Sequence, residues 1–433
     1  MSSRFFAIFA LCTLATGAAS LLNEAVDALK RGDNITAEKK LRAEIAAHPS
    51  EAEAWSFLGV SLDNQKKFSE AEAAHRKALA LAPRSNSVLD KFGAHQLTMG
   101  DSAGARKTFE RALSIIPNDG YANLQLATLA LKDKKGAEAL IYLNRLSPEQ
   151  RNAPDVVIDR VMALELNGNH AGALEAEAPL QKTGNADALY SLAYAWDTLG
   201  RPIETLRVLA RAAELEPARP DIQKSFATSA ANLGQYGPAL AAWDRYVKLA
   251  PADDIARRER GFAALHVNQR EAGIAELRWY TGRHPDDADG WYELAIGESS
   301  LDPTAGMPDF NRAIQLKPDF AAALSSRGAL HYRDGKPEEA LPDLERALKI
   351  DPANAMAQYR LGQVYQALDR LKDALPHYRR AAELAPNDYQ AQFHLANALA
   401  EAGQTAESDR LLERIRTWPT RTSAPNPDLL DTK

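Results

Sequence analysis

The chain has 433 residues, 45% of them hydrophobic and 25% charged, a balance typical of a folded soluble protein and not of a disordered or membrane-spanning one. Its net charge of -6 at pH 7 argues against nucleic acid as the main partner, because phosphate binding needs a basic surface. The single cysteine, Cys12, allows neither an internal disulfide nor a cysteine-based metal site.

The first element is an N-terminal segment with Arg4, an apolar stretch from Phe5 to Leu14, and then the small residues Ala15, Gly17, Ala18 and Ala19. That order is the pattern of a secretory signal peptide over residues 1–19, with cleavage expected after Ala18 or Ala19. An uncleaved anchor, which would bring membrane contact, is the alternative. Leu11 stands where a lipoprotein signal needs a small residue, so Cys12 reads as part of the apolar stretch.

Beyond residue 20 the chain repeats. Pro49, Pro83 and Pro117 stand 34 residues apart, as do Pro217, Pro251 and Pro285, and Pro318, Pro352 and Pro386 continue after one step of 33. Within each period a first helix carries an apolar stripe, as in Trp55, Leu58 and Leu62, or Leu189, Leu192 and Trp196. A second helix carries Ala71, Ala105, Ala139, Ala173, Ala239, Ala340 and Ala374 at one equivalent position, with Ala78, Ala112, Ala212, Ala313, Ala347 and Ala381 seven residues on. Small residues there let two backbones approach, while Phe109, Trp243, Phe310, Leu344 and Tyr378 fill the space around them. Gly32, Gly100, Gly168, Gly200, Gly234, Gly335 and Gly403 fall where the first helix ends and a left-handed turn is expected. The repeated proline then stops the second helix.

Trp55, Leu58, Gly59, Ala71, Ala78 and Pro83 together resemble the signature of the tetratricopeptide repeat family. The resemblance covers about twelve helix-turn-helix units from residue 20 to about 419. It implies an all-α, right-handed superhelical solenoid that binds proteins or extended peptides on a concave face lined by the first helices.

Two stretches depart from the pattern. Between Leu146 and Gly184 the regular proline is lost and Pro148, Pro154 and Pro179 appear, with Pro179 inside an expected helix where a kink or break should follow. This reads either as a hinge dividing repeats 20–185 from repeats 186–419 or as simple repeat drift. Ser299 to Pro308 reads as a tighter hairpin turn, and 420–433 as a disordered tail.

The nine histidines are scattered over the register, no two form a helical metal pair, and no HExxH, GxSxG or GxxxxGK[ST] string occurs. The expectation is therefore a non-enzymatic chain with no catalytic residue, no cofactor and no metal. Outward first-helix positions in the C-terminal repeats supply the candidate partner-binding face: Tyr190, Tyr194, Asp197, Lys224, Arg258, Phe262, Tyr292, Tyr332, Tyr359 and Phe393. Packing of individual tyrosines against the next hairpin is the competing reading. The carboxylate clamp by which family members hold chaperone C-termini is not completed, since Thr228 stands where Asn is needed after Lys224. The functional expectation is a scaffold or adaptor for envelope or secretion complexes. The alternatives are a targeting subunit of an envelope glycosyltransferase or peptidase and a membrane-anchored cytoplasmic adaptor.

Overall fold

The computed structural model describes residues 21–416; the expected signal peptide at 1–19 and the expected disordered tail at 420–433 lie outside the described residues. All described secondary structure is helical, and no described helix is long and apolar enough to cross a membrane. The chain divides into two compact units between Leu215 and Glu216.

The first unit pairs α1 (Leu21–Lys30) with α2 (Asn34–Ala47), α3 (Ala52–Asn64) with α4 (Phe68–Leu81), and α5 (Asn86–Thr98) with α6 (Ser102–Ile115). It continues with α7 (Gly120–Lys132) and α8 (Gly136–Asn144), a single turn α9 (Pro148–Arg151), α10 (Pro154–Leu166) with α11 (His170–Lys182), and α12 (Ala186–Thr198) with α13 (Pro202–Leu215). The second unit holds α14 (Pro220–Asn232) and α15 (Tyr236–Leu249), α16 (Asp254–His266) and α17 (Arg270–Arg283), and α18 (Ala288–Leu301) and α19 (Met307–Leu316). Its last three hairpins are α20 (Ala321–Arg333) with α21 (Pro337–Ile350), α22 (Ala355–Ala367) with α23 (Leu371–Leu384), and α24 (Tyr389–Glu401) with α25 (Thr405–Arg416). Each unit thus has six hairpins, and twelve is the repeat number read from the prolines.

Local chemistry sets these ends. Asp33, Ser85, Asp101 and Asp119 cap second or first helices by accepting a backbone N–H three residues on. His48 and Ala82 end α2 and α4 with φ near -130° and ψ near 70°, clear of the α region that the following proline disfavours. All seven turn glycines take positive φ, and where glycine is absent Lys66, Lys134, Asn268 and Asp369 adopt the same left-handed backbone. A side chain there is strained by about 1 kcal/mol. Lys134→Gly is therefore expected to raise stability by ~0.5–1 kcal/mol and Gly168→Ala to lower it by a similar amount, read as shifts in thermal midpoint.

The alanines at the crossings are fully buried, and Phe109, Phe310, Leu344 and Tyr378 have no exposed surface. The reason is steric. A Cβ added at Gly93 would lie 2.6 Å from the Phe109 ring, and one at Gly362 would lie 2.8 Å from Tyr378, so glycine on the first helix makes room for the plug on the second.

The structure departs from expectation at Pro179 and in the turn after α18. α11 runs through Pro179 to Lys182 with no break, as α21 and α23 run through Pro342 and Pro376, each losing only the one backbone donor that proline lacks. Residues on either side of position 185 are stitched together: Trp196 donates its indole N–H to Glu177 at 2.7 Å, and Arg207 and Arg201 pair with Glu177 and Glu165. The contact boundary accordingly falls after Leu215, one hairpin beyond 185. The turn at 302–306 is longer than the usual three-residue connection, not tighter, since α19 starts late at Met307.

Candidate functional site

The outward first-helix residues sort by their place in the repeat. On α12, Tyr194 is 69% exposed and Asp197, almost one turn later, is also exposed, while Tyr190 is half-buried. Positions nine and twelve of this helix thus form an open polar-aromatic stripe.

Position five behaves differently, because it points at the loop that starts the next hairpin. In the second unit Lys224 Nζ donates to Asp253 at 2.9 Å, and Tyr246 Oη donates to the same carboxylate at 2.8 Å. One period later Arg258 contacts Asp287 at 3.1 Å and Tyr280 Oη donates to Asp287 at 2.7 Å. Asp253 and Asp287 also cap α16 and α18. Burial opposes ionisation of both carboxylates, but the bonds from Lys224 and Tyr246 at Asp253, and from Tyr280 with the Arg258 charge at Asp287, hold them below the ordinary aspartate range. The same joint is aromatic where Tyr292 meets Phe320, with ring centres 5.0 Å apart.

Arg258 and Tyr292, both half-buried, are therefore joints between hairpins, the competing reading of these positions, while Lys224 makes the same contact from an exposed site. Tyr359 is corrected: it is 7% exposed, lies 5.1 Å edge-on to His394, and belongs to the core of its unit. Phe262 packs against Tyr236 and His266, Tyr332 packs on that core, and Phe393 stacks on Tyr389 at 5.6 Å; all three are half-buried. Asp253, Asp287, Tyr246 and Tyr280 were not singled out in the sequence. The signal was the recurrence of a tyrosine seven residues before an aspartate, in step with a basic residue 29 positions upstream.

Arg258 is shared by three carboxylates, with Glu259 at 2.7 Å and Glu293 at 3.4 Å beside Asp287. Burial, partly offset by Arg258, pushes Glu293 up to about 8, with Glu259 and Asp287 adding to the rise. A carboxyl whose folded pKa is raised is most favourable to folding below its unfolded pKa and loses that contribution as pH rises through the folded value. Relative to wild type, Glu293→Gln is thus expected to be near neutral at pH 4 and to gain stability progressively between pH 4.5 and 8, by ~1–3 kcal/mol at pH 9. Chemical denaturation at the two pH values measures it.

Tetratricopeptide repeat models match residues 22–86, 96–163, 319–387 and 359–419, together more than half of the chain. Human aspartyl/asparaginyl beta-hydroxylase is 32% identical over 68 residues, 16% of this chain and 9% of that protein. Protein FlbA of Caulobacter vibrioides is 26% identical over 270 residues, 60% of this chain. The match spans 38% of FlbA, so both relatives are much longer than the region they share with this chain. Among solved structures, yeast Tom70 aligns at 15% identity with a TM-score of 0.41, covering 92% of this chain and 98% of that one. With the family models across both units and hairpins that follow their register, the chain belongs to the tetratricopeptide repeat family.

Proposed function

We propose that this chain is a non-enzymatic scaffold that holds a protein or an extended peptide along its first helices, and that it is exported to serve envelope or secretion-complex assembly. The observation that carries the binding reading is the exposed pair Tyr194 and Asp197 on α12, a large aromatic and a charge left open while the neighbouring faces are spent on stacking. Export is supported by the charged, apolar and small-residue order of residues 1–19.

A photo-crosslinking residue at position 194 tests both parts. An adduct formed in the envelope fraction and not in the cytoplasmic fraction, on a protein whose N-terminus begins after Ala18 or Ala19, is the expected result. An adduct confined to the cytoplasmic fraction, or a retained Met1, overturns the exported version.

A further inference from the structure

The position filled by Phe109, Leu143, Leu209, Trp243 and Leu277 in other hairpins is occupied in the second hairpin by His75, which is 1% exposed. A buried imidazole in place of an apolar plug needs partners. Asp63 at the end of α3 faces it, with Oδ2 at 3.0 Å from His75 Nε2, and turns its other oxygen to His95 Nδ1 on α5 at 2.7 Å. His95 is 2% exposed, and Glu72 Oε2 on α4 lies 2.7 Å from its Nε2. The ligand atoms of Asp63, His75 and His95 all fall within 4.8 Å of one another. Phe92 stacks beside His95 with ring centres 6.3 Å apart, closing one side with an apolar wall.

We propose that Asp63, His75 and His95 form a zinc site that pins the second hairpin to the third, with Glu72 as the outer carboxylate. Two imidazoles and one carboxylate are a donor set for a borderline transition ion, not for calcium or magnesium. Tetrahedral coordination at ~2.0–2.1 Å places ligand atoms about 3.3 Å apart; the two rings face different Asp63 oxygens and the three ligand atoms lie within 4.8 Å of one another, so binding draws both rings toward one ion by side-chain rotation. Ligation through His95 Nδ1 leaves Nε2–H facing Glu72 at 2.7 Å, close enough for a small turn of the carboxylate to make the outer-shell bond that orients a metal-bound histidine, a bond whose angle is not yet met. Charge also balances, since the dication meets two carboxylates and two neutral rings. Gly59 is the space-maker: a Cβ there would lie 2.5 Å from the imidazole. The sequence screen for paired ligands on one helix misses this set because its members lie on three helices in two repeats.

The test uses the full chain without a polyhistidine tag, stripped with a chelator and titrated with Zn²⁺ against a chromophoric competitor. Co²⁺ serves as the optical reporter. Wild type is expected to bind one equivalent, to show the visible bands of tetrahedral Co²⁺, and to gain thermal midpoint on zinc addition. His75→Phe restores the plug seen at Phe109, and its helicity is confirmed by circular dichroism; it and Asp63→Asn are each expected to weaken binding by more than about 100-fold, beyond what an outer-shell loss costs. His48→Gln, an exposed histidine elsewhere, leaves affinity unchanged. Wild type binding no more tightly than folded His75→Phe, or zinc leaving its midpoint unmoved, overturns the site and leaves a hydrogen-bonded triad only.

Discussion

Phe109→Ala is expected to cost the first unit about 3–5 kcal/mol, read as a lower urea midpoint and faster amide exchange in α5 and α6. Phe109 has no exposed surface, and its ring sits over Gly93 on α5 and 6.0 Å from Tyr121 on α7, so it joins one hairpin internally and to its successor. Truncation removes apolar contact and leaves a void that three helices cannot close together. The partner substitution makes the prediction specific. Gly93→Ala alone forces a Cβ within 2.6 Å of the ring and should cost ~1–3 kcal/mol by overpacking. In the double variant that Cβ enters the space Phe109 vacated, so the loss should fall below the sum of the two by ~0.5–2 kcal/mol.

The second large effect concerns the plug position of the fifth hairpin, where Glu177 stands 2% exposed. Its carboxylate is held by the Trp196 indole at 2.7 Å and by Arg207, whose side chain reaches in from a 44% exposed site on α13. Arg207→Ala strands a buried anion with two neutral donors, the Trp196 indole and the Gln181 amide at 3.4 Å, at an expected cost of about 2–4 kcal/mol after allowing for the solvent that reaches Arg207. Glu177→Leu follows the choice made at Leu143, Leu209 and Leu277 and frees the half-exposed Arg207 to solvent, but it leaves the buried Trp196 indole N–H without its acceptor and should cost about 1–3 kcal/mol. The decisive comparison is Arg207→Ala placed in the Glu177→Leu background: the penalty should largely vanish, because no carboxylate remains to be stranded.

Much of the fold was legible because one physical rule repeats every 34 residues. Pro49, Pro83 and Pro117 stop second helices, and Gly32, Gly100 and Gly168 take the left-handed turn, as their residue types require. The candidate face was less legible. Arg258 on α16 and Tyr292 on α18 each occupy an outward position of their own helix, yet the next hairpin's loop comes to meet them, and helical period alone does not report what a loop in the next repeat will do. Tyr359 shows the same limit, since its burial depends on His394 from the following repeat. Asp63, His75 and His95 were each visible as residues, but their meeting is a property of two stacked hairpins and of the gap left by Gly59. Pro179 misled in the opposite sense: it removes one bond without breaking the helix.

The central claim is that the first-helix face binds a protein partner. Its most direct measurement is the affinity of the partner captured at position 194 for three full-length proteins: wild type, Tyr194→Ala, and Ile203→Ala as a control on the second helix of the same hairpin. Ile203 is 70% exposed and Tyr194 69%, so accessibility is matched and only the face differs. Tyr194→Ala should weaken binding by ~10-fold or more, the scale of an aromatic anchor, with Ile203→Ala unchanged. Loss of binding in Ile203→Ala with Tyr194→Ala at wild-type affinity would contradict the account.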